Sequence, residues 1–280
     1  MTVDPRILRV GVTVNGKLKI IEGLAITAQG SKFASATQNE TTIKIANLDK
    51  ATRDFLSTQA TPFNRINQLK RQRVYIEAGR VSTGVARIFT GDITLVTPSQ
   101  PPDIWLTIKA MTGQFFKGEA VSSSEPPLSM LSQISQKAAD SLGMSLKFSA
   151  DDKQIANYSY TGSKTKQVEK IGELANVDAY VDDDALVVKN KNAPLTGRKI
   201  IVSAKTGMIG IPEFTDFGVK VRMLFNKEIR VGDAIETVSE FYPATNGTYI
   251  NYKMDFDLCN RDGPFNLILE TRRPGGVFVG

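Results

Sequence analysis

The sequence predicts a mainly β protein, with two small antiparallel β-barrels flanking a small helix–strand insert. Three observations carry this. Short segments of period-2 alternation separated by turn dipeptides fill the first 115 residues. The same pattern returns after residue 197, and between the two the apolar spacing changes to that of amphipathic helices. The expected units are therefore 1–115, 116–196 and 197–280.

The first strand is the clearest. Leu8, Val10, Val12 and Val14 alternate with Arg9, Gly11 and Thr13. Asn15-Gly16 follows, a dipeptide that tolerates the positive φ of a type I′ hairpin turn, and Leu18–Ile20 is the return strand. Further strands are expected at 43–46, 74–78, 87–89 with 92–96, and 104–109. Gly91 marks a bulge or tight bend. Asp49 is placed to cap a short helix over 50–57. Local pairing of this kind suits a small closed or nearly closed barrel.

A polar joint, Ser122-Ser123-Ser124-Glu125-Pro126-Pro127, opens the insert. A helix is expected over 128–142, with Leu128, Leu131, Ile134, Ala138 and Leu142 on its apolar face and Gly143 past its end. A second helix over 164–176 turns Val168, Ile171, Leu174 and Ala175 inward. Two short strands, 178–181 and 185–189, flank the triplet Asp182-Asp183-Asp184. Leu195–Gly197 is the second joint. The last unit carries strands at 200–204, 218–224, 234–241, 248–258 and 265–271, with turns at Asn226-Lys227, Asn246-Gly247 and Asp262-Gly263-Pro264.

Composition bounds the chemistry. The 280 residues contain no histidine and one cysteine, Cys259. That removes the commonest general base, the usual partner of a serine or cysteine nucleophile, and any intrachain disulfide or cysteine-built metal site. No nucleophile-elbow, phosphate-loop or dinucleotide motif is present. A glycosidase needs two carboxylates brought across a bond, and Glu119, Glu125, Glu213 and Glu236 are candidates without a distinguishing spacing. The aspartate triplet lacks the glycine and glutamate of an EF-hand loop and reads as a polar hairpin tip. Phe115-Phe116 and Phe214/Phe217 read first as core and joint packing, with stacking platforms or partner contacts as the alternative. Net charge is +6, and basic residues crowd the stretch from Arg65 to Arg87, where phosphate, an acidic protein face or solvent would suit them. No signal-peptide pattern or membrane-spanning apolar run is seen. The expectation is a non-enzymatic protein with no cofactor, no metal and no membrane anchor.

The segment Thr206-Gly207-Met208-Ile209-Gly210-Ile211-Pro212, then 218–226 and Ile229-Arg230-Val231-Gly232-Asp233, resembles the baseplate hub proteins of contractile-tailed phages, the Mu-like hub family. Ile43-Lys44-Ile45-Ala46-Asn47-Leu48 and Ile88-Phe89-Thr90-Gly91-Asp92-Ile93 resemble that family's first tube-like barrel. The resemblance covers both barrels, about two-thirds of the chain. It implies a structural homotrimer in the virion's tail baseplate, assembled in the host cytoplasm. Two barrels per copy would adapt a sixfold tail tube to a threefold central spike, with baseplate wedge proteins as further partners and DNA passing through the lumen. Its excursion after the short helix would supply interface residues: Phe63, Ile66 and Leu69 as apolar anchors, with Arg65, Lys70 and Arg71 at the rim. The alternative is a tail enzyme or adhesin acting on peptidoglycan or another glycan.

Overall fold

The computed structural model describes residues 4–275 except Asn15, 60–70, Asp103 and Lys117. Its first half comprises β1 (Arg6–Val14), β2 (Lys17–Ile21), β3 (Ile26–Phe33), β4 (Glu40–Ala46), α1 (Lys50–Gln59), β5 (Arg73–Arg80), β6 (Gly84–Pro98) and β7 (Trp105–Met111). The middle holds β8 (Ala120–Ser124), β9 (Leu128–Met130), α2 (Leu131–Ser141), β10 (Ser145–Ser149), β11 (Gln154–Ala156), β12 (Ser159–Ser163), α3 (Lys164–Ala175), β13 (Val177–Asp182) and β14 (Ala185–Asn190). The last part holds β15 (Lys199–Ser203), β16 (Met208–Phe214), β17 (Val219–Leu224), β18 (Ala234–Val238), β19 (Gly247–Cys259) and β20 (Phe265–Arg272).

The first and last parts share one 13-stranded sheet. Its pairing path runs β16-β17-β20-β19-β3-β4-β7-β6-β5-β1-β2, with β18 on β19 and β15 on β18. The path is open, ending at β2 and β16. The two parts join where β3 and β19 pair antiparallel, from Thr27 opposite Cys259 to Phe33 opposite Lys253. Strict alternation makes this sheet work. Ile26, Ala28, Ile43, Ile45, Ile108, Met254, Phe256, Leu258, Leu267 and Leu269 are buried in one core common to both parts. Gly30 belongs at the seam, because a Cβ there would lie 2.5 Å from the Phe256 ring and 2.4 Å from the Glu40 carbonyl oxygen.

The β1–β2 hairpin forms as its sequence directs: Val14 pairs with Lys17, and Gly16 takes φ +77°. Asp49 caps α1, its Oδ1 accepting from the Thr52 amide at 2.8 Å. Hydrogen bonds from the Thr52 side chain and amide, together with the Lys19 ammonium, hold the Asp49 carboxyl down to about 2. A group depressed from 3.8 contributes stability above that value and loses it as pH falls through about 2. A side-chain NMR titration should therefore give a midpoint near 2 for Asp49; a midpoint of 3.8 would contradict the cap.

The middle segment has its own core, in which Leu131, Ile134, Ala138, Val168 and Ile171 of the two helices pack on Ala179, Leu186 and Val188. Two expectations are corrected here. Leu128 is not on the helix face; it lies in β9, paired with Ala156, and is exposed. Leu174 is not turned inward on α3; it is exposed, while Ser122–Ser124 of the polar joint form part of β8, paired with β12.

Candidate assembly surfaces

The aspartate triplet is where the structure departs furthest from the sequence reading. Asp183 does occupy the tip of the β13–β14 hairpin, at φ +55°. The tip is not solvated. It docks on the first half, where the fully buried Lys32 ammonium lies 2.6 Å from Asp182 Oδ1 and 3.0 Å from Asp183 Oδ2 and donates to the Ile88 carbonyl at 3.1 Å. The Thr90 amide donates to Asp183 Oδ1 at 2.8 Å, and Arg73 pairs with Asp184. Burial alone would depress the Lys32 pKa, but the two carboxylates outweigh it and hold it above the ordinary lysine value. Burial raises Asp183, with the Asp182 charge adding to it against the pull of Lys32.

A second buried cluster ties the middle segment to the last part. Asp178 Oδ2 accepts from Lys189 and from Arg272, each at 2.6 Å. The Tyr180 hydroxyl donates to the Val231 carbonyl at 3.4 Å. The middle segment is thus pinned to both parts by buried charge, a use of aspartates that fixes register between elements. Among the described residues no cluster of three or more potential ligands fits a metal ion.

The four carboxylates considered for hydrolysis are scattered. Glu119 pairs with Lys164 at 2.7 Å, Glu125 with Lys137 at 2.6 Å and Glu236 with Lys199 at 3.5 Å, while Glu213 faces Lys220 across β16–β17. The described arginines of the basic stretch are also engaged. Arg73 pairs with Asp184, Arg80 donates to the Asp4 carbonyl, and Arg87 pairs with Glu77 and lies 3.9 Å from the Tyr75 ring centroid. Arg71 pairs with Asp92 at 2.5 Å and lies 4.9 Å from the Phe116 ring centroid. Phe63, Arg65, Ile66, Leu69 and Lys70 lie outside the described residues.

The sheet face opposite the core is polar. Gln29, Ser31, Glu40, Thr42, Lys44, Lys109, Asp255 and Asp257 line a shallow cleft of about 700 Å³ on it. Gln29 donates to Asp257 at 3.0 Å and Ser31 to Asp255 at 2.7 Å, directly across the β3–β19 seam.

Exposed apolar side chains gather near the two ends of the sheet path. At one end are Leu18 and Ile20 on β2 with Phe55 on α1. At the other are Ile209, Ile211 and Phe214 on β16, with Phe217, Val238, Phe241 and Tyr242 nearby. Phe214 and Phe217 are therefore not core residues: β16 is an edge strand, and its outward side chains have no layer above them. Phe115 is exposed too, its ring edge-on to that of Phe116, which does belong to the middle core.

The two halves of the sheet also repeat one arrangement. β6 and β19 are both long, and each changes partner partway. β19 pairs on one flank first with β18 (247–250) and then with β3 (253–259), while β20 takes the other flank. β6 pairs on one flank with β5 (84–92), while β7 takes the other flank over 92–98. Beyond Asp92 the flank that β3 fills on β19 has no strand on β6 among the described residues.

A family model described as baseplate hub gp41 matches residues 7–271. No curated protein matches the sequence. Among solved structures, the chain is similar to a tail protein from Neisseria meningitidis MC58 (TM-score 0.62, 10% identity, 96% of this chain and 97% of that one). It is similar to the 43 kDa tail protein of prophage MuSo2 from Shewanella oneidensis (0.61, 11%, 95% and 98%). It also resembles the E. coli c3393 protein, a type VI secretion component described as structurally similar to the T4 tail proteins gp27 and gp5 (0.59, 11%, 90% and 74%).

Proposed function

Because the chain belongs to the baseplate hub gp41 family, a structural and non-enzymatic part of the phage tail, we propose that three copies close into a ring around the tail axis. Each copy contributes two barrel-like halves, 1–115 and 197–280, with 116–196 clamped between them. The carrying observation is the flank of β6 beyond Asp92, which has no paired strand among the described residues. Inside one chain the equivalent flank of β19 is filled by β3. Between chains, β16 stands where β3 stands in the repeat and has a free edge of its own. Adding β16 of one copy antiparallel to residues 94–98 of the next copy's β6, beyond the Ile93 amide that Gln72 already holds, would reproduce the internal seam between copies. Such a head-to-tail contact closes rings, and three copies present six quasi-equivalent halves. That number suits a sixfold tube on one side and a threefold spike on the other.

Edge addition here depends on side-chain packing as well as backbone pairing. β16 carries a register irregularity between Ile209 and Glu213 and contains Pro212, which lacks an amide donor. Ile209, Ile211 and Phe214 supply the apolar area that a shortened ladder does not. The stretch between α1 and β5, with Phe63, Arg65, Ile66, Leu69 and Lys70, is proposed to extend the same contact; Arg71 is committed to Asp92.

The polar sheet face would line the lumen. Lys44, Lys109 and Lys253 are set against Glu40, Asp255, Asp257 and Glu270, and Lys253 already pairs with Asp255 at 3.2 Å and Glu270 at 2.9 Å. A face without a cation excess does not hold phosphates, so DNA would slide through it. Tube, spike and wedge proteins are the proposed partners, supported by the described likeness of the E. coli relative to gp27 and gp5. The ring would assemble in the host cytoplasm before joining the virion.

Native mass spectrometry of the purified chain over a concentration series should show a trimer, and Phe214→Lys should shift the population to monomer. A chain that stays monomeric even with tube and spike proteins present would remove the proposal.

A further inference from the structure

Phe241 is 83% exposed, on the loop between β18 and β19. It has apolar company in Val238, Ile211 and Tyr242, the last packed edge-on against Phe214 at 5.5 Å. At the far end of the sheet, β2 and α1 leave a mostly apolar groove of about 450 Å³ floored by Ile21, Ala51, Phe55 and Leu56. Its volume is ample for an aromatic ring. We infer that the β18–β19 loop of one copy seats in the β2–α1 groove of the next, with Phe241 as the inserted side chain. The inference rests on the ring reading above and names its outer contact.

Two further observations favour a second copy as the occupant. Charge is complementary, since Lys17 lines the groove beside a Lys19 already paired with Asp49, and Glu240 adjoins Phe241. The internal repeat also predicts the pairing. The β5–β6 turn is the counterpart of the β18–β19 loop, and α1, which follows β4, is the counterpart of the segment that follows β17. Within one chain these counterparts already touch: Lys227, just after β17, donates to the Thr83 carbonyl in the β5–β6 turn. Carried to the next copy, the same relation brings the β18–β19 loop to α1. An aromatic buried at the centre of an interface is the residue type that dominates assembly energy.

The test uses the full chain. Phe241→Glu should keep the monomer's circular dichroism and raise the concentration at half-assembly more than about tenfold. A chain carrying Phe241→Cys and Ala51→Cys should form covalent dimers and trimers on mild oxidation, and neither single variant should. Wild-type rings that Phe241→Glu leaves intact, with no cross-link, would overturn this contact while sparing the ring. A wild-type chain that never assembles would overturn both. A groove filled by the chain's own residues 60–70 would show as Phe55→Glu lowering monomer stability with assembly unchanged, and that also overturns the contact.

Discussion

Replacing Lys32 by methionine is expected to destabilise the fold by about 3–5 kcal/mol, measured by urea unfolding at neutral pH. The side chain is fully buried and shares its ammonium between Asp182 and Asp183. Removing it leaves two carboxylates at the docked hairpin tip without their counter-charge. The cost comes from stranding those charges, so Lys32→Met combined with Asp182→Asn and Asp183→Asn should recover most of the loss. Asparagine at 183 suits the positive φ and keeps an acceptor for the Thr90 amide. Both Lys32 and Asp183 are raised in the fold, and a raised group contributes stability below its unfolded pKa and loses it as pH rises through its folded value. For Lys32 that window lies above 10.5, so wild type should lose stability there more steeply than the triple variant. A single Lys32→Met variant as stable as wild type would contradict the clamp.

Phe256→Ala is expected to cost about 3–5 kcal/mol by the same measurement, as other large-to-small substitutions of buried aromatics do. The ring lies at the β3–β19 seam, 2% exposed, in the core that both halves share. The space over Gly30 is open only because glycine has no side chain there, so no neighbour can collapse into the void. A loss below about 1 kcal/mol would mean that the seam contributes little to holding the halves together.

Much of the fold was legible in the sequence where one face of an element meets the core. β1, β4, β17 and β20 alternate cleanly, and Asn15-Gly16 and Asp49 act as local signals. The amphipathic helix expected over 164–176 was legible for the same reason, although Leu174 of its expected inward face is exposed. β3 was not, because Gln29-Gly30-Ser31-Lys32 reads as a loop. Its inward positions hold a glycine that admits Phe256 and a lysine that answers two distant aspartates. β16 was missed because Gly210 and Pro212 break its alternation, as an irregular edge strand permits. The assembly surfaces were the least legible. Phe214 and Phe217 look like core residues until the sheet order shows β16 at an edge with no layer above it. The aspartate triplet looks like a solvated turn because nothing near it in sequence carries Lys32. One cue was available: Lys32 lies in phase with Ile26 and Ala28.

The proposed ring repeats between copies the seam that already exists inside one. Amide hydrogen exchange tests it most directly, comparing the assembled wild type with the Phe214→Lys monomer. Amides of 94–97 on β6 and of 208–214 on β16 (Pro212 has none) should both gain protection on assembly, while the β3–β19 seam should be protected in both samples. A trimer that forms with no change in protection at those two segments would contradict the account.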